Sequence, residues 1–182
     1  MEITKSDIEQ IHHNNLVRLC AYRGITIEPF ADFAKKKVFH WKTSDGKDDY
    51  DVFHIKKSAE ANSAAGFNAL IAKCTGKTII CTHRKKVPQM PANIEIIHGT
   101  ALMRDFGAFW EANGTSIRIM PNLGDLTRFY VDKKDLPHIH VSCIEVIWLG
   151  AKVGDIIEST RVCIGHTNVT GDYRLVVDAP IK

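Results

Sequence analysis

From Leu136 to Val177 the chain carries its most constrained stretch. It reads Leu136-Pro137-His138-Ile139, then Ser142-Cys143-Ile144-Glu145-Val146-Ile147-Trp148-Leu149-Gly150, then Lys152-Val153-Gly154-Asp155-Ile156-Ile157. It closes with Arg161, a turn, and Tyr173-Arg174-Leu175-Val176-Val177. Ser142 with Glu145 three residues on has the form of a capping box ahead of an apolar run. Gly150, just past Leu149, stands where a helix stops in the left-handed region. Val153 to Thr160 and Tyr173 to Val177 are rich in β-branched and aromatic residues and read as strands. A short helix followed by paired strands suits a small docking module and offers no catalytic cleft.

These residues resemble the C-terminal assembly domain of the fifth-largest subunit shared by the eukaryotic nuclear RNA polymerases, a domain with an equivalent among the subunits of the archaeal RNA polymerase. That family writes Leu-Pro-Arg-Ile, a short helix ending in Gly, Gly-x-Val-Val-Lys-Ile-Ile-Arg, a Pro-Ser-Glu-Thr turn, and Tyr-x-x-Tyr-Arg. Leu136, Pro137 and Ile139 match the first element, Gly150 the helix stop, and Lys152, Gly154, Ile156, Ile157 and Arg161 the third. Tyr173-Arg174-Leu175-Val176 matches the last. His138 replaces the first Arg, Cys143-Ile144 an Asp-Pro, and Val162-Cys163-Ile164-Gly165 the Pro-Ser-Glu-Thr turn. Such departures point to a diverged paralogue or a viral copy.

The chain has 182 residues, 45% hydrophobic and 25% charged, room for one folded domain or two small ones. A net charge of +3 is compatible with lying near nucleic acid. The five cysteines, Cys20, Cys74, Cys81, Cys143 and Cys163, form no Cys-x-x-Cys pair, which argues against a zinc ribbon and for a reducing compartment. There is no apolar signal core and no apolar run of about 18 residues, so no membrane span is expected.

Upstream, Ser6 and Glu9 form a second candidate capping box. Ile8, Ile11, Leu16, Leu19 and Cys20 then share a helical face, and Gly24 follows the end. A short helix is expected over Pro29 to Lys36. A hairpin is expected from Val38–Thr43 and Tyr50–Ile55 about the turn Ser44-Asp45-Gly46-Lys47. Ala64, Phe67, Leu70 and Ile71 mark a helix, Thr78–Thr82 and Ile94–Ile97 strands, and Leu102, Phe106, Phe109 and Trp110 one face of a further helix. Ile117 to Met120 is another strand. Alternating helices and strands make residues 1–114 an α/β domain. The resemblance extends weakly here, to the family's jaw domain, with a shortened connection around Pro121–Asp135. The expected organisation is therefore an α/β jaw domain over 1–114 and a small α+β assembly domain over 115–182.

Other constellations are incomplete. Cys74-Thr75-Gly76-Lys77-Thr78 looks like the tail of a phosphate loop, but Ile71 stands where its first Gly belongs, and helix precedes strand. His12 and His13, being adjacent, point in different directions on a helix and cannot chelate together. His138 and His140 could share a strand face, without a third ligand. Asp48, Asp49 and Asp51 with Lys56 and Lys57 hint at a Mg²⁺-dependent nuclease but lack the carboxylate such a site sets beside its Lys. No thiol has a recognisable His–carboxylate pair.

The resemblance implies a non-catalytic subunit of a multisubunit DNA-dependent RNA polymerase, with no catalytic residues, metal or cofactor of its own. Its partners would be the largest polymerase subunit, the rest of the complex, and downstream duplex DNA bound without regard to sequence. Leu136, Pro137, Ile139, Trp148, Arg161, Tyr173 and Arg174 are the expected docking residues. Arg84, Lys85, Lys86 and Pro88, in the loop after the Thr78–Thr82 strand, are expected near DNA. The implied location is the nucleus, the nucleolus for polymerase I, or host cytoplasm or virion for a viral copy. The alternatives are a metal-dependent nuclease-like enzyme and a stand-alone nucleic-acid-binding module.

Overall fold

The computed structural model describes residues 4–30, 35–84, 86–87, 90–120, 132–162 and 169–178. The chain has mixed α/β content and forms two compact units, 1–105 and 106–182. The division falls before Phe106, earlier than the expected boundary after residue 114. The reason is aromatic packing: Phe106 and Trp110 lie against Trp148 and bind their helix to the second unit.

In the first unit, α1 (Lys5–Tyr22) starts from a capping box, but not the expected one. Thr4 is the cap. Its hydroxyl accepts the Asp7 amide at 3.2 Å, and the Asp7 carboxylate accepts the Thr4 amide at 2.8 Å. These bonds satisfy amides that the first turn leaves without helical partners. The Thr4 hydroxyl, which donates to the Asp7 carboxylate at 2.7 Å, and then the Thr4 amide hold the Asp7 carboxyl below the usual range. Ser6 lies inside the helix and is exposed. The buried face is His12, His13, Asn15, Leu16, Leu19 and Cys20, whereas Ile8 and Ile11 are only half-buried. The helix thus turns two histidines inward where two isoleucines were expected.

The hairpin forms as expected from β1 (Val38–Ser44) and β2 (Asp49–Ile55), antiparallel, with Val38 opposite Ile55. Its turn is closed by Asp45, whose carboxylate accepts the Lys47 and Asp48 amides at 2.8 Å. α2 (Ala64–Ile71) then returns the chain to β3 (Lys77–Thr82), parallel to β2, and β4 (Ile94–His98) is parallel to β3. The sheet order is β1-β2-β3-β4. Five successive β3 residues, Thr78 to Thr82, are buried, as both faces of the sheet are covered. Phe67 of α2 packs with Ile55, Ile80 and Ile94 on one face. The opposite face carries Phe39, Trp41 and His54, against which α1 places His13. Arg23, just past α1, makes a bidentate pair with Glu95 of β4 at 2.7 and 2.8 Å. Leu102 lies in a 3-10 turn, Gly99–Leu102, and not in the helix that follows. The helix expected over Pro29–Lys36 and the connection around Pro121–Asp135 fall largely outside the described residues.

The second unit begins with α3 (Phe106–Ala112), followed by β5 (Thr115–Ile119), β6 (His138–His140), α4 (Ile144–Leu149), β7 (Ile156–Val162) and β8 (Val169–Val177). The sheet order is β5-β7-β8-β6, antiparallel except for β6 beside β8. Gly150 ends α4 at φ 68°, the left-handed stop expected. Two expectations shift. Cys143, not Ser142, caps α4, because the Ser142 amide and hydroxyl turn back to His140 Nδ1 at 3.1 and 2.7 Å. Val153 and Gly154 form a turn, with Gly154 at φ 93°, so β7 starts only at Ile156.

Candidate functional site

The basic loop after β3 splits into two kinds of residue. Arg84 is half-buried and used by its own loop. Its Nε donates to the Lys86 carbonyl at 2.6 Å, Nη1 donates to the Asn62 carbonyl at 3.2 Å, and the guanidinium lies 5.3 Å from the Phe67 ring centroid. Two carbonyls and an aromatic face thus hold the Arg84 guanidinium within its own loop. Lys86 is exposed. Lys85 and Pro88 lie outside the described residues.

The expected docking residues divide similarly. Trp148 is fully buried, edge-on to Phe106 and Trp110, with ring centroids 6.0 and 6.2 Å away. It is a core residue of this unit and offers no surface to a partner. Leu136 is buried with Ile156 beside Tyr173 and Leu175, and Ile139 is buried on β6. Pro137 is exposed, and its carbonyl accepts the Leu175 amide at 2.8 Å. The Tyr173 hydroxyl donates to Glu158 at 3.1 Å, and the same carboxylate pairs with Arg118. Arg161 and Arg174 are exposed as well, with Arg174 paired to Asp172 at 2.6 Å.

Those two arginines border a cleft of about 560 Å³ in the second unit. Strand alternation sets Ile157, Ser159 and Arg161 of β7 on one sheet face, beside Asp172 and Arg174 of β8 and Ile117 of β5. α3 supplies Phe109 and Trp110. Phe109 and Val162, 45% and 56% exposed, are large apolar side chains open to water on its wall. The cleft therefore sets apolar side chains beside the guanidinium groups of Arg161 and Arg174. Sequence reasoning missed Phe109 and Val162 because one read as a helix-face residue and the other as a turn residue.

The acidic residues of the hairpin do not converge on a metal. Asp48 pairs with Lys77, Asp51 accepts from His40 at 2.6 Å, and Lys56 is buried. Among the described residues, no group of three or more His, Cys, Asp or Glu is placed to hold a metal ion. Burial pushes the Cys20 thiol up to about 12 and raises that of Cys81, so both stay protonated and poorly nucleophilic.

The feature the sequence did not announce is a cluster of imidazoles under α1. Phe30 N–H donates to His13 Nε2 at 3.4 Å, which leaves the His13 proton on Nδ1, 3.3 Å from His54 Nδ1. His12 stacks on His83 with centroids 4.9 Å apart and sets Nε2 2.9 Å from Met103 Sδ. His12 Nδ1 and His83 Nε2 are buried without a hydrogen-bond partner. The only hint in the sequence is spacing: 12, 13, 16, 19 and 20 follow one wide helical face.

No helix among the described residues is long and apolar enough to cross a membrane. Comparison of the sequence with family models and with curated proteins finds no match to either.

Proposed function

We propose that the chain is a non-catalytic subunit of a multisubunit DNA-dependent RNA polymerase. The second unit docks on the largest subunit, and the first serves as a jaw element near downstream duplex DNA. One observation carries this reading. Motif segments about 35 residues apart in the sequence, Leu136-Pro137-His138-Ile139 and Tyr173-Arg174-Leu175-Val176, become neighbours through the parallel pairing of β6 with β8. The same unit has the left-handed stop at Gly150 that the resemblance requires. With Trp148 internal, the docking surface is the Phe109–Val162 cleft and its arginines Arg161 and Arg174. With Arg84 held by its own loop, the exposed Lys86 is the phosphate contact of the described loop, and its role is electrostatic.

The test is purification of the tagged full chain from its native cell. The expected result is stoichiometric recovery of the two large polymerase subunits, lost in the Arg161→Glu/Arg174→Glu double variant while its circular dichroism is unchanged. Recovery of the chain alone, with Mg²⁺-dependent DNA cleavage or tight duplex binding, would replace this reading with the nuclease or the stand-alone binding module.

A further inference from the structure

The imidazole cluster plays no part in the polymerase reading. Four histidines from three parts of the first unit meet under α1: His12 and His13 on α1, His54 on β2, and His83 just after β3. His12, His13 and His54 are 3%, 0% and 0% exposed. The hydrogen bonds of His13 and His54 suit the neutral form. A proton on His13 Nε2 would face the Phe30 N–H, and one on His54 Nδ1 would face the His13 N–H. Phe39, Trp41 and Phe30 wall His13, and the charged or titratable groups facing the cluster are Lys56, Lys57, Glu9 and His98. Glu9 favours a proton on His83, whereas Lys56 and Lys57 oppose protons on His13, His54 and His83.

Burial accordingly holds His12 and His13 down to about 4, with His83 and Lys56 adding to the respective effects. Burial, then His13 and the other two imidazoles, takes His54 to about 3, and burial lowers His83. An unfolded histidine titrates near 6.5. The folded values lie below that, so the unfolded chain binds more protons. Stability is complete above about pH 6.5 and is lost as pH falls towards 4. Each such histidine lowers the folding constant up to tenfold per pH unit, so three lower it up to roughly 1,000-fold between pH 5.5 and 4.5. In the second unit no described histidine is buried.

We propose that this four-imidazole core makes the first unit acid-releasable: α1 leaves its sheet in mildly acidic solution and redocks on neutralisation, while the second unit stays folded. The experiment is urea unfolding of the full chain from pH 7.5 to 4.5, with hydrogen exchange, corrected for its intrinsic rate, reporting each unit. The expected result is loss of protection in α1 and β2 by pH 5, retained protection in β7 and β8, and recovery at pH 7. The slope of log K against pH should approach three protons and fall by about one in His12→Gln and in His54→Gln. Should both variants fail to fold, histidine Cε1–H resonances of the wild-type chain read the same property, with at least three expected to titrate below pH 5. A slope of one or less, fewer than three histidines titrating below pH 5, or simultaneous loss of both units overturns the proposal. Loss confined to pH below 4, where carboxylates titrate, does so too.

Discussion

Trp148→Ala separates a core role from a docking role. The side chain is fully buried and meets Phe106 and Trp110 edge-on at 69° and 81°. Removing a buried indole sacrifices its transfer free energy and leaves a cavity that the surroundings fill only in part, together about 3–5 kcal/mol. Two edge-to-face pairs lost with it place the value in the upper half of that range. A unit of this size is held by only about 5–10 kcal/mol, so the variant should sit near its unfolding threshold. Its melting transition should fall by about 15 °C or more. Far-ultraviolet circular dichroism is the suitable readout, because the substitution deletes a fluorophore, and hydrogen exchange assigns the loss to α3, α4 and β7. The first unit's transition should not move. Trp148→Phe should recover about half of the loss. A stability change below about 1 kcal/mol, combined with lost co-purification of the large polymerase subunits, would refute the reasoning and make Trp148 an exposed anchor after all.

Three further substitutions address local readings. Arg84→Ala should cost about 1–2 kcal/mol in urea unfolding, from two lost carbonyl bonds and the contact with Phe67, and leave the salt dependence of DNA retention unchanged. A slope reduced by about 0.9 would instead mean a phosphate contact. Thr4→Ala should destabilise α1 by about 1 kcal/mol and Ser6→Ala by almost nothing; the reverse order would restore the Ser6 cap. Gly99→Ala would drive a methyl group into the half-buried His83 ring and should cost about 1–3 kcal/mol in thermal melting. An unchanged melting temperature would mean that His83 is loosely held.

The hairpin was legible because alternation in Val38–Ile55 and the Asp45-Gly46 turn point to the same register. The helix starts were less so. Thr4/Asp7 and Ser6/Glu9 have the same spacing two residues apart, and sequence cannot rank two caps of equal form. Ser142 was misleading for another reason: a nearby imidazole outcompeted the helix amides for it. Burial of His12 and His13 was invisible because histidine scores as polar, while its cost depends on neighbours from β2 and the β3 loop. At the cleft, Arg161 and Arg174 were readable as exposed motif residues. Phe109 and Val162 became a surface only once β5, β7 and α3 came together.

Strand order also governs how the second unit can assemble. β5 finds its partner in β7, and β6 finds its partner in β8, both across long stretches of intervening chain. Only β7 and β8 adjoin in the chain as a hairpin. Closing such loops costs entropy before any contact rewards it, so β5 and β6 are expected to join the sheet after the β7–β8 pair. Until Tyr173–Val177 is in place, β6 has no strand to join and one edge of β7 is bare. A nascent or truncated chain ending before Asp172 therefore exposes open strand edges, and is expected to be captured by chaperones or to aggregate.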